Sequence, residues 1–312
     1  MTLGALLLVI VSAFIHATWN MISKRSRGGI EYVLIVGGFA ALVWAPVGLW
    51  VLLAGNAVDP GTSLAVALPC VLVSTVFHGA YFTCLQKGYS IGDMSLVYPL
   101  ARGTGPLLST ALAMLLYGER PSVTALAGAA LIGSGAFLLA RSSSTHAKNQ
   151  HEDSSQDASE PTPSSGIHTA VGWGLLTGLF IAGYTIWDKF VLSGVGVNPL
   201  FLEWGTTVGR VLLLGPALLL PVRRRQVVIQ AYPGLWKTAL LVAILSPLSY
   251  MMALTALKIS PVSYVAPLRE ISILIGTLFG SRLLGEGDPQ SKRLRTIAAS
   301  AMALGVAALA LG

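Results

Sequence analysis

Apolar residues run along this chain in stretches of about 20, separated by short polar breaks. A helix needs about 20 apolar residues to cross the roughly 30 Å hydrocarbon layer of a bilayer. Ten stretches have that length, near 2–22, 31–54, 64–86, 93–116, 122–140, 169–191, 199–221, 235–257, 262–284 and 295–311. The breaks carry Gly, Pro, Asp or Arg, as in Gly28-Gly29, Asp59-Pro60-Gly61, Glu119-Arg120-Pro121 and Asp288-Pro289. The pattern predicts an all-α polytopic membrane protein with ten transmembrane helices.

One segment departs from it. Residues 142–166 hold eight serines, two prolines and no large apolar side chain. Such a stretch buries too little surface to offset its ordering entropy, so it reads as a flexible polar linker rather than a metal site, despite His146, His151, Glu152 and Asp153. It divides the chain into residues 1–141 and 167–312, five helices each. A shift of 168 residues lays Trp19-Asn20 on Trp187-Asp188, Val97, Pro99 and Leu100 on Val265, Pro267 and Leu268, and Pro121 on Pro289. Two repeats with an odd number of crossings must enter the membrane from opposite sides, so the expectation is two inverted five-helix repeats.

Composition agrees with a lipid solvent. Hydrophobic residues make up 54% of the 312, charged residues 11%, and mean hydropathy is +0.72. A soluble domain carries about 25% charge, which argues against a cytosolic enzyme, a disordered chain or a disulfide scaffold. The net charge of +7 does not imply nucleic acid, because the cations sit in short loops between apolar runs. Lys24, Arg25, Arg27, Arg141, Arg223–Arg225, Lys292, Arg293 and Arg295 fall in alternate loops, whereas Arg120, Lys189 and Lys258 fall on the other side. Basic loops stay in the cytoplasm, which places both termini outside and the linker inside. Cys70 and Cys84 lack metal spacing and read as packing residues.

The layout resembles the drug/metabolite transporter superfamily, specifically the EamA family. The resemblance rests on His16-Ala17-Thr18-Trp19-Asn20, on Val97-Tyr98-Pro99-Leu100 and Val265-Ala266-Pro267-Leu268, and on Gly118-Glu119 and Gly285-Glu286. It implies an alternating-access carrier in a bacterial inner membrane, with no cofactor. It does not name the substrate, since family members carry very different metabolites.

A charge inside the hydrocarbon costs about 2.5–3.5 kcal/mol on insertion scales, so each needs a partner or a wet cavity. Arg102, Arg269 and Glu270 lie deep in apolar runs, and the 168 offset sets Arg102 on Glu270. Two readings stand side by side. In one, an arginine grips an anionic group of the substrate in two-pronged fashion, and Glu270 holds the spare cation or takes a coupling proton. In the other, Arg102 and Glu270 form a structural pair. Glu203 and Arg210, seven residues apart on one helix face, either pair or face the cavity, with an interfacial place favoured for Glu203. Asp188 and Lys189 are expected to snorkel to the headgroups. His16 is a candidate proton shuttle, favoured over His78 because Tyr184 occupies its offset position. Tyr98 and Tyr184 are candidates for an aromatic wall, and Gly276-x-x-x-Gly280 is a helix-packing or homodimer contact.

No HExxH, GxSxG or Walker lysine occurs. The expected function is secondary active transport of a small polar or anionic metabolite, proton-coupled or by exchange, with Arg102, Arg269, Glu270, His16, Tyr98, Tyr184, Glu203 and Arg210 as the binding residues. The alternatives are a membrane-embedded enzyme acting on lipid and a non-transporting sensor or scaffold.

Overall fold

The computed structural model describes residues 1–26, 29–91, 94–152, 164–276 and 289–312. Among these the secondary structure is helical, apart from turns and an isolated antiparallel bridge between Val58 and Val197. In chain order the helices are α1 (Leu3–Ser26), α2 (Ile30–Val43), α3 (Ala45–Leu53), α4 (Leu64–Ile91), α5 (Met94–Leu116), α6 (Val123–Glu152), α7 (Ser164–Ser193), α8 (Pro199–Leu219), α9 (Val222–Ile259), α10 (Val262–Arg269) and α11 (Pro289–Leu311).

Local chemistry explains several boundaries. Pro46 lacks an N–H for the carbonyl four residues back, and α2 and α3 meet there at a bend of 44°. Asn198 caps α8 by accepting the Leu200 N–H at 2.9 Å, and Pro199 takes the first helical position, where no donor is needed. Gly118 adopts φ +64°, a left-handed turn that a β-carbon disfavours, and so ends the run after α5.

The surface supports the lipid reading. Leu53 and Val123 are each 83% exposed and Leu115 79%, alongside many other exposed aliphatic side chains, a surface that would aggregate in water. The protein is a helical membrane protein.

The expected count of ten spans in two inverted five-helix repeats is corrected by the helices themselves. Among the described residues four are long and apolar enough to cross a membrane: Leu3–Ser23, Leu64–Tyr89, His168–Ser193 and Val222–Ile259, with the bent α2–α3 pair as a fifth if taken as one span. Among the described residues the shorter apolar helical stretches are Leu100–Leu116, Val123–Leu138 and Thr296–Leu311, each of 17 residues or fewer. At 1.5 Å per residue such a stretch reaches about 26 Å at most, less than the ~30 Å required. α8 has 21 residues, but Glu203, Thr206, Thr207 and Arg210 interrupt its apolar character. α10 ends after eight residues at Arg269-Glu270, and residues 277–288 lie outside the described residues. Counting apolar windows along the sequence joined stretches that the helix ends and the charges cut.

The chain divides into two compact units. The first comprises Met1–Leu6, Phe77–Ile186 and Ser260–Gly312, the second Leu7–Val76 and Trp187–Ile259, so each draws on chain from both sides of residues 142–166. Within that polar segment α6 continues to Glu152 and α7 begins at Ser164, while 153–163 lie outside the described residues. In the first unit α6 and α11 approach closely. A Cβ on Gly128 would stand 2.6 Å from the Gly305 carbonyl oxygen, and one on Gly305 would stand 2.6 Å from that of Gly128. Bare backbone at both positions permits the contact. In the second unit α2, α8 and α9 pack together, clasped by Trp44 Nε1 donating to the Ala243 carbonyl at 3.2 Å and Trp204 Nε1 to that of Ala41 at 3.0 Å. Ser12 and Ser249 donate to each other's carbonyls at 2.8 and 2.9 Å.

Candidate functional site

In the first unit the charges gather at a broken helix. Pro267 has no N–H for the carbonyl of Ser263, and α10 closes two residues later. The Glu270 N–H bonds the Pro267 carbonyl at 3.0 Å, a tight three-residue turn, before residues 271–276 resume as helix. Glu270 therefore sits on the break, only 4% exposed. Its Oε2 lies 3.1 Å from Arg102 Nε on α5, an ion contact whose geometry is not that of an aligned hydrogen bond. A second nitrogen of Arg102 donates to Ser272 Oγ at 3.4 Å. The Arg102 side chain is 15% exposed, and Arg269 is half-buried one residue before Glu270.

The start of α10 is held from elsewhere. Glu119, in the turn after Gly118, accepts the Val262 N–H on Oε1 at 2.7 Å and the Ser263 N–H on Oε2 at 2.9 Å. These are two of the four donors that a helix N-terminus leaves unmet. One carboxylate thus anchors one end of the short helix whose other end carries Arg269 and Glu270.

Tyr184, on α7, stacks on His78 with centroids 4.3 Å apart, and Tyr81 meets it edge-on at 5.7 Å. Ala101 and Ile181 pack on the same ring. Tyr98 lies on α5, but its side chain is outside the described residues.

The second unit holds a different arrangement. Glu203 is buried on α8 and accepts from Thr207 Oγ1 at 3.1 Å and Thr206 Oγ1 at 3.4 Å. Arg210 reaches it at 3.4 Å and donates to Thr207 Oγ1 at 2.8 Å. The spacing of seven residues does bring Glu203 and Arg210 onto one face, where they pair, with Glu203 buried within the protein. Asp188 departs from expectation. It does not snorkel: it is fully buried, with Ser74 donating to Oδ1 at 2.6 Å and the Tyr250 hydroxyl to Oδ2 at 2.7 Å. Lys189 donates to the Leu257 carbonyl at 2.7 Å, within the protein. His16 packs edge-on against Trp19 at 4.9 Å, and Asn20 donates to the His16 carbonyl at 2.8 Å.

Of the eight expected binding residues, then, Arg102 and Glu270 meet each other, as do Glu203 and Arg210. Arg269, Tyr98 and Tyr184 belong to the first unit and His16 to the second. Sequence reasoning missed Glu119, Ser272, Ser74 and Tyr250 as partners. Only Glu119 carried a signal, as part of Gly118-Glu119. Among the described residues no three of His, Cys, Asp and Glu converge as metal ligands.

Apolar helices with exposed aliphatic faces and buried paired charges define a helical membrane protein. Residues 3–141, fewer than half of the 312, match the model of the EamA-like transporter family. No curated protein matches the sequence. Among solved structures, one crystal structure aligns over 100% of this chain and 98% of its own, with a TM-score of 0.66 and 15% identity, which shows a shared fold.

Proposed function

We propose that the protein is a secondary active transporter that moves a small polar or anionic metabolite across the membrane by alternating access, coupled to protons or to exchange. The observation that carries this reading is the Arg102–Glu270 contact at the α10 break, set in an EamA-like chain. Arg102 is largely buried, and its planar guanidinium matches a carboxylate or phosphate in two-pronged geometry, so an anionic substrate can compete with Glu270 for it. When such an anion arrives, Glu270 is released to Arg269, its chain neighbour, or to a proton. Broken helices are where transporters expose polar groups to ligands. Tyr184 and Tyr98 serve as polar-tipped walls of the first unit in this reading, and His16 and the Glu203–Arg210 pair are further candidate binding residues in the second.

The test is uptake by proteoliposomes against a metabolite library first narrowed by thermal shift, since a ligand that binds the folded form raises its melting temperature. Arg102→Ala and Glu270→Ala should abolish uptake in protein that still folds. Restored uptake in the double variant Arg102→Glu with Glu270→Arg would mean that the pair is structural and that the gripping role fails.

We further propose that the protein resides in a bacterial inner membrane with both termini outside and the 142–166 segment in the cytoplasm. A homodimer through the Gly276 region belongs to the same reading. Four crossings put both termini on one side, and a fifth, through α2–α3, would separate them. Accessibility of tags on the two termini in right-side-out vesicles decides between these.

A further inference from the structure

We propose that the surface where α2 and α9 begin binds the phosphate headgroup of an anionic phospholipid, with Arg223, Arg224 and Arg225 as its cationic ligands and Tyr32 as a hydroxyl donor beside them. The first observation is length. α9 has 38 residues, or about 57 Å of helix, against a hydrocarbon layer of roughly 30 Å. Its first turns therefore stand in or beyond the headgroup layer, and those turns carry the three arginines, all exposed. Only Leu220 and Pro221 separate them from α8.

The second observation is packing. Tyr32 and Ile35 of α2 cluster with Ala239, and Val228 and Leu235 of α9 pack against them. Arg224 and Arg225 stand four and three residues before Val228, which places them on the same face of α9, one turn nearer its start. The third observation is an unmet donor. Tyr32 is 5% exposed, yet its hydroxyl is buried without a hydrogen-bond partner. A buried hydroxyl in that state is destabilising unless a ligand meets it. The start of α9 adds the partial positive charge of its free N–H groups. The acid beside Tyr32 in the chain is Glu31, whose Oε1 accepts the Gly29 N–H at 3.1 Å; against three arginines it leaves the cations in excess.

The source is lipid rather than a free anion, because the arginines are set among exposed apolar side chains. Leu220 is 77% exposed, Val222 58% and Ile229 61%, which suits the boundary between acyl chains and headgroups.

The full chain in nanodiscs tests this without reference to transport, so it stands or falls apart from the carrier reading. In discs of phosphatidylcholine and phosphatidylglycerol in equal parts, the melting temperature should exceed that in phosphatidylcholine alone. R223Q/R224Q/R225Q should lose that increment and retain phosphatidylglycerol in native mass spectrometry on the order of tenfold less. Y32F should lose part of the increment. R223K/R224K/R225K, which keeps the charge, should retain most of it and controls for folding. The proposal is overturned if the glutamine variant keeps the whole increment. It is equally overturned if inorganic phosphate raises the melting temperature in phosphatidylcholine discs as much as phosphatidylglycerol does.

Discussion

Two buried carboxylates, one in each unit, are held in opposite ways. Asp188 receives two hydroxyl donors, Ser74 and Tyr250, one on each oxygen and both within 2.7 Å. Glu270 receives an ion contact from Arg102 at 3.1 Å, without an aligned hydrogen bond on that oxygen. A carboxylate surrounded by short, well-aimed donors is stabilised as it stands, and any rearrangement loses those bonds. A carboxylate oxygen met by an oblique guanidinium, as Glu270 Oε2 is, has less to lose when another anion takes the cation. In the proposed carrier this difference gives the Asp188 network a structural role and the Arg102–Glu270 pair an exchangeable one.

Substitution should separate the two. Asp188→Ala removes two hydrogen bonds to a carboxylate, each worth about 1.5–3 kcal/mol, and strands two buried hydroxyls. The expected loss is about 3–5 kcal/mol, read by thermal melting in detergent, with little folded protein left at growth temperature. If Asp188→Ala melts like the parent, the structural weight assigned to this network is wrong.

Glu270→Gln comes next and inverts the profile. It keeps the size and the polar tip, so melting should fall by no more than about 1–2 kcal/mol in equivalent stability, while uptake falls at least tenfold. A variant that melts early and still transports would break the comparison from the other side. Glu119→Gln sharpens it further. The amide accepts on one oxygen only, so α10 keeps one of its two capping bonds, at a cost of about 0.5–2 kcal/mol. Uptake should fall more than melting does, because Glu119 touches only the start of α10 yet sets where Arg269 and Glu270 stand. Glu119→Ala should exaggerate both effects.

How much of this was legible before the structure depends on the kind of signal. The apolar runs announced a membrane protein, and the helical content follows from them. The number of spans did not follow, because a run of apolar composition does not show where a helix ends. The stretch around 199–221 reads as a span by composition, but Glu203, Thr206, Thr207 and Arg210 interrupt the apolar character of α8. Charge position was legible where helical period applies: Glu203 and Arg210, seven apart, share a face and meet. Arg102 and Glu270 also meet, as one of the two sequence readings had it, although the two five-helix repeats inferred from the same offset do not stand. What could not be read was long-range pairing. Asp188 looked interfacial because it sits late in an apolar run beside Lys189, but its burial depends on Ser74 and Tyr250, 114 and 62 residues away. Nothing local in those residues marks them as its partners.

The smallest expected effect lies at the other extreme of exposure. Lys258 Nζ reaches Asp59 Oδ1 at 3.1 Å, with side chains 28% and 58% exposed. Water and salt screen such a pair, and ordering two flexible side chains offsets much of the attraction, so exposed pairs contribute about 0–1 kcal/mol. Lys258→Gln should therefore shift melting by less than about 0.5 kcal/mol in equivalent stability, and raised salt should erase the difference between variant and parent. Uptake should be unchanged. A loss at Lys258 as large as that at Asp188 would mean that distance alone, not burial and donor geometry, sets the strength of these contacts. The contrast drawn between the two buried carboxylates would then lose its basis.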